Sequence, residues 1–357
     1  MPQPTENWFL RHRIELGLGL RMSIAGLASF AVGHLFQVVQ VYWAVLTAVI
    51  VMQASVGGSM KAMRDRFAGT FGGAVWGVAV TATIPHQGAV STGIALAAAL
   101  VPLAAFVGFH PNYRVAPVTA AIVLLGHPDS AGAVAAALDR VFEIGLGSIV
   151  ALAVALLVSP ARAHGALYAA TRDALAAMSE QIVLLLGGVA TPAGGDAVRA
   201  LHDRTRAAIG RAAGCADDAA RERRSHVSDA PDPEPLMQAL RRLSSDLVII
   251  DSTLPAPLPE SVQVRLAGPA TALAAAISLR MAAIGDALIA RSPLPAATSE
   301  SAAFDAYDAA IAALRRDGLT RALSDADVER LFGLSFGLAQ LRRNLDDIAG
   351  CVAGLAP

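Results

Sequence analysis

The chain is short of charge. Of its 357 residues only 16% are Asp, Glu, Lys or Arg, against roughly 25% in an ordinary soluble domain. Set beside 55% hydrophobic residues and a mean hydropathy of +0.52, that scarcity excludes a fully soluble single domain and a disordered chain. The net charge of −1 leaves no global argument for nucleic acid as a partner. Cysteine is scarcer still. Cys215 and Cys351 lie far apart without metal-ligand spacing, as expected of a reduced compartment. The sequence also lacks a P-loop, a metal motif, a nucleophile motif and any strand pattern, so no enzyme, metal or cofactor is expected. Residues 1–14 carry Glu6, Arg11, His12 and Arg13 and do not read as a cleavable leader.

What charge there is sits unevenly. Residues 1–160 hold 14 charged side chains and residues 161–357 hold 43. The first part therefore reads as a membrane domain and the second as a polar helical domain. Spanning about 30 Å of hydrocarbon takes roughly 20 apolar residues, and six segments approach that. They are Glu15–Gln37, Val41–Ser55, Phe67–Ile84, Ala89–Phe109, Val115–Leu125 and Val141–Val158, the fifth broken by Pro117. The alternate loops hold Arg11, Arg13, Lys61, Arg64, Arg66, Arg114 and Arg162, while the opposite loops hold no Lys or Arg. Seven cations to none sets both termini on the cytoplasmic side. The expected division is a cytoplasmic segment 1–14, a six-helix transmembrane domain 15–160 and a cytoplasmic helical domain 161–357.

Small residues recur at four-residue spacing: Gly69, Gly73 and Gly77; Ala25, Ser29 and Gly33; Gly147, Ala151 and Ala155. Such stripes let membrane helices pack backbone to backbone. Two stretches also resemble each other. Tyr42-Trp43, Thr47, Asp65-Arg66 and Gly73 are echoed by Tyr113, Thr119, Asp139-Arg140 and Gly147, with the same interval from each Arg to its Gly. The expectation is an all-α polytopic protein with a three-plus-three inverted repeat, and substrate handled between its halves. In the polar half, Pro-rich breaks at 229–235, 255–259 and 292–295 separate amphipathic helices such as Leu236–Leu254 and Val328–Ile348.

The run Tyr42-Trp43-Ala-Val-Leu-Thr47 through Gln53, with Arg66-Phe-Ala-Gly69-Thr70-Phe-Gly72-Gly73, resembles the fusaric acid resistance-like (FUSC) family of bacterial aromatic acid exporters. That membrane domain is shared with plant aluminium-activated malate channels. The resemblance covers about residues 10–165 and implies export of small organic, mainly aromatic, acids from the inner membrane, driven by the proton gradient. Typical exporters of the family are about twice as long, so one membrane unit per chain implies a homodimer in the bilayer; a periplasmic adaptor subunit is a further candidate partner.

An ionisable side chain within a membrane span is costly unless paired or hydrated, and so marks a candidate site. Arg140, Arg66 and Arg21 are the candidate carboxylate binders, because the guanidinium fork meets two oxygens and keeps its charge. Glu143, one turn beyond Arg140, is the candidate proton carrier, with His34 and Asp139 as further proton-coupling candidates. Trp43, Tyr42 and Tyr113 could stack an aromatic substrate, and Thr47 and Gln53 could line its path. Structural alternatives stand beside each: snorkelling for Arg21, anchoring for Arg66 and the aromatics, an internal ion pair for Arg140. Two rival functions stay open, a passive organic-anion channel and a non-transporting membrane anchor with a partner-binding helical domain.

Overall fold

A computed structural model describes residues 13–85, 87–126, 130–158, 163–190 and 194–355. The chain divides into two compact units, Met1–Arg162 and Ala163–Pro357. Among the described residues the secondary structure is twelve α-helices with two short 3₁₀ turns. Arg11 and Arg162, which entered the topology reading, and Glu6 and His12, which entered the leader reading, lie outside the described residues.

The first unit holds α1 (Arg13–Leu35), α2 (Val41–Val51), α3 (Val56–Thr83), α4 (Ala89–Phe109), α5 (Val115–Gly126) and α6 (Ser130–Leu157). Its polarity is inverted relative to a soluble protein. Leu20, Leu27, Phe30, Phe71 and Val90 are exposed, whereas Arg21, Arg140 and Glu143 are buried. Apolar side chains turned outward and charge turned inward are what a lipid solvent selects.

The expected six spans do not hold. Among the described residues four helices are long and apolar enough to cross a membrane: Leu16–Leu35, Ala89–Phe109, Gly132–Leu157 and, in the second unit, Glu260–Ala290. The others fail for physical reasons. Helix α2 has 11 residues and α5 has 12, about 17 Å of rise each against a core of about 30 Å. Met52 is already extended, and Ser55 caps the next helix by accepting from the Gly58 amide at 2.9 Å, which ends α2 early. Helix α3 is 28 residues long, but it starts at Val56 and takes Lys61, Arg64, Asp65 and Arg66 into its first half. Those four residues are helical and not a loop. Pro117 breaks nothing, because it falls in the first turn of α5, where a missing amide proton costs no helical bond.

With three such helices in one unit and the fourth in the other, there is no clear three-plus-three inverted repeat either. The echo between 66–73 and 140–147 has a local cause. A Cβ on Gly73 would collide with the Ala116 carbonyl of α5, and a Cβ on Gly147 with the Ala44 carbonyl of α2. Each glycine is where a neighbouring backbone comes too close for any side chain. Gly77 continues the α3–α5 contact, its Cβ position 3.0 Å from Ala120 Cα.

The second unit holds α7 (Ala163–Gly187), α8 (Gly195–Arg224), α9 (Glu234–Thr253), α10 (Glu260–Ala290), α11 (Thr298–Arg316) and α12 (Asp325–Ala353). Its core is of the soluble kind, with Leu243, Leu247 and Ile250 of α9, Leu273, Ile277 and Ile284 of α10, and Leu334, Leu341 and Leu345 of α12 all at or near 0% exposure. Three pairs of buried or half-buried polar groups are matched across helices. Asn344 donates to Asp246 at 2.6 Å, Thr205 to Gln181 at 3.0 Å, and Arg280 pairs with Glu300 at 3.2 Å.

Candidate functional site

The site forms where α2, α3, α5 and α6 meet, and the glycine contacts described above bring α3 against α5 and α6 against α2. A cavity of about 150 Å³ opens there, lined by Trp43, Arg66, Arg114, Thr119 and Arg140 with the apolar side chains of Val115, Val118, Ile122 and Ile144. Three guanidiniums and no carboxylate face this space. The walls between them are hydrocarbon.

Each arginine is held differently. Arg140 is buried; it pairs with Glu143 at 3.3 Å, and its guanidinium carbon sits 3.6 Å from the centroid of the Trp43 ring. A cation desolvated on an indole face gains about 2 kcal/mol. Arg66 is half-buried, and its Nε donates to the Thr47 hydroxyl at 3.1 Å, a neutral partner that leaves its charge uncompensated. Arg66 and Arg140 are near enough to repel each other. Arg114 is exposed, at the start of α5.

Gln40 ties the site into a loop of bonds. Its side-chain oxygen accepts from Trp43 Nε1 at 3.0 Å and from the Tyr42 hydroxyl at 2.9 Å, while its main chain hydrogen-bonds the Glu143 carboxylate. Trp43 carries Arg140, Arg140 pairs with Glu143, and Glu143 returns to Gln40. A residue three positions ahead of Trp43 therefore sets the ring orientation that stacks Arg140.

The expected site residues thus separate. Arg140, Arg66 and Trp43 line the cavity, Thr47 holds Arg66, and Glu143 holds Arg140. Tyr42 touches the network through Gln40 but is itself exposed. Tyr113 meets Phe106 at a tilt and His110 edge-on, at centroid distances of 5.4 and 6.4 Å, and does not line the cavity. Gln53 is exposed and donates to the Ile50 carbonyl at 3.0 Å. Arg21 donates to the Ala54 and Gly17 carbonyls at 3.2 and 3.4 Å, fastening α1 to the turn after α2. His34 is exposed and stacks on Phe30 at 6.1 Å, and Asp139 is exposed. Sequence reasoning missed Arg114, Gln40 and the lining role of Thr119. The sequence offers Arg114 only as a loop cation; its place five residues before Thr119, next to Tyr113, is the available signal.

Among the described residues no group of three His, Cys, Asp or Glu could hold a metal ion. A larger cavity, about 260 Å³, lies in the second unit against His164, Tyr168, Asp232 and Cys351. It has no arginine or lysine in its lining, so charge singles out the smaller one.

An inverted-polarity unit with an arginine-lined cavity between its helices defines the chain as a helical membrane protein. Residues 27–154 match the family described as fusaric acid resistance protein-like, and the chain is related to that family through its first unit. The match supports a general transport or efflux role and does not extend to the plant malate channels. No curated protein matches the chain.

Proposed function

We propose that the first unit carries small organic anions, aromatic carboxylates among them, out of the cell across a bacterial inner membrane. One observation carries this reading: Arg66, Arg114 and Arg140 face one small cavity that no carboxylate lines, with Trp43 beside them. Two guanidiniums that repel each other are relieved by an anion between them. At an effective dielectric constant of about 20, one such contact at 4 Å contributes about 4 kcal/mol. The cavity is smaller than the roughly 300–1,000 Å³ of drug-sized pockets, which suits it to an acid head group with its ring against Val118, Ile122 and Trp43. The lipid bilayer is its solvent, and its cation-rich end, with Lys61, Arg64 and Arg114, faces the cytoplasm. Glu143 is the proton carrier in this reading, because an anion engaging Arg140 competes for its partner. Two copies form the working assembly.

The test is uptake of radiolabelled benzoate and hydroxybenzoate into proteoliposomes, with and without an imposed pH gradient. Gradient-driven accumulation is expected for wild type, and neither accumulation nor equilibration for the double variant Arg140→Gln/Glu143→Gln, in which no buried charge is stranded. Equilibration at one rate with or without the gradient would instead identify a passive channel.

A further inference from the structure

Helix α10 is apolar on a face that the described residues leave uncovered. One side is committed to the core of the second unit through Leu273, Ile277, Ile284 and Leu288. The opposite side presents Val264, Gly268, Ala272, Ala275, Leu279 and Ala282, all exposed, with Val264 at 76% and Leu279 at 68%. Ile289 extends the line. At 100° per residue these positions fall within an arc of about 100°, a single stripe running nearly the length of the helix. Nothing lies within 4 Å of a Cβ built at Gly268, so the face is open. Apolarity on both sides of a surface helix calls for a second partner.

We infer that this stripe is the contact between two copies of the chain, packed antiparallel about a two-fold axis passing between Ala275 and Ala276. The inference rests on the two-copy assembly in the proposed function and names its surface. Charge and size both select that register. Arg265 and Asp286 are equidistant from the axis, so each arginine of one copy meets the aspartate of the other at both ends of the contact. Arg265 also pairs with Asp317 in its own chain at 3.3 Å with half its side chain exposed, leaving donors free to reach across. Ala272 and Leu279 are likewise equidistant, so each leucine enters the gap above the partner's alanine. Such self-complementarity is what an isologous interface requires.

The stripe alone comes close to the area a specific interface needs. From Val264 to Ile289 the stripe runs about 37 Å at 1.5 Å per residue, and at roughly 12 Å wide it covers about 450 Å² on each copy. Two copies bury about 900 Å² before flanking groups on α7 and α11 contribute, close to the roughly 1,000 Å² at which specific interfaces begin. Lipid is the weaker occupant. An interfacial helix turns bulky apolar residues to the bilayer and rims them with Lys or Arg, whereas this stripe is mostly Ala and Gly and includes Asp286.

The test uses the full chain in nanodiscs, in a Cys215→Ser/Cys351→Ser background. Wild type should have the mass of two chains, and Ala275→Cys should form an intermolecular disulfide on mild oxidation. Leu279→Arg should weaken the dimer at least tenfold while helix content stays unchanged, since the position is exposed. Adding Ala272→Asp should restore it, because the new aspartate of one copy faces the new arginine of the other. A dimer that survives Leu279→Arg without the Ala275→Cys crosslink would overturn this surface and leave the two-copy assembly standing. A wild-type monomer that still transports would overturn both and leave the anion site untouched. Quenching of a fluorophore at Leu279→Cys by brominated lipid would assign the face to the bilayer and overturn the inference.

Discussion

Replacing Arg140 by glutamine separates what this side chain does for the fold from what it does for transport. Arg140 is 5% exposed and its partner Glu143 is 2% exposed, with 3.3 Å between them. Removing one member of a buried ion pair costs about 3–5 kcal/mol, because the other charge is stranded, and the stacking on Trp43 is lost as well. Arg140→Gln alone should therefore lower thermal stability, and loss of transport in it would be ambiguous. The double variant Arg140→Gln/Glu143→Gln removes both charges and lets the two amides hydrogen-bond. It should recover most of the lost stability, since a buried pair replaced as a unit is often nearly neutral. Anion binding should not recover. One guanidinium–carboxylate contact at about 4 kcal/mol corresponds to roughly a thousandfold in affinity, and Arg66 and Arg114 are left to hold the anion unaided. Melting temperature by intrinsic fluorescence of nanodisc samples and benzoate binding by calorimetry read the two effects separately. A double variant that is stable and binds benzoate as tightly as wild type would refute the site.

Arg114→Gln should raise the benzoate concentration for half-maximal uptake about tenfold and flatten its salt dependence, with the maximal rate nearly unchanged, because Arg114 is exposed and acts by long-range attraction; initial rates at 20 and 300 mM NaCl check this. Gly73→Val should yield no monodisperse protein, since even a Cβ meets the Ala116 carbonyl, whereas Gly72→Ala, with nothing within 4 Å, should behave as wild type in size-exclusion chromatography. In the second unit, burial pushes the Asp246 carboxyl above the usual range, against the opposing pull of Asn344 and Arg343. A raised acid binds its proton more tightly folded than unfolded, so its contribution to stability falls as pH rises past the ordinary aspartate value. Asp246→Asn should therefore melt a few degrees higher than wild type at pH 7, at roughly 2–4 °C per kcal/mol, with the gap closing toward pH 4. Equal melting curves at both pH values would count against it.

Much of the local structure was legible in the chain. The break points at 255–259 and 292–295 fall between helices and 229–235 runs into the first turn of α9, because proline has no amide proton with which to continue a preceding helix, and Leu331 to Ile348 pack inward because their threes and fours follow the helical period. Arg140 and Glu143 were readable as a pair, being one turn apart on one helix. Span number was not. Hydropathy counts apolar residues wherever they lie, but α2 and α5 stop at 11 and 12 residues and α10 spends half its apolar surface on a core. The cavity was legible only in part, because nothing along the chain brings Arg114 to Arg66 and Arg140. That convergence depends on Gly73 meeting Ala116 and Gly147 meeting Ala44 across two helix boundaries. Sequence by itself determined which side chains carry charge and which helical faces are apolar, since both follow from residue type and a fixed period. Tertiary structure alone decided which of those charges share a space, because that depends on how closely backbones approach.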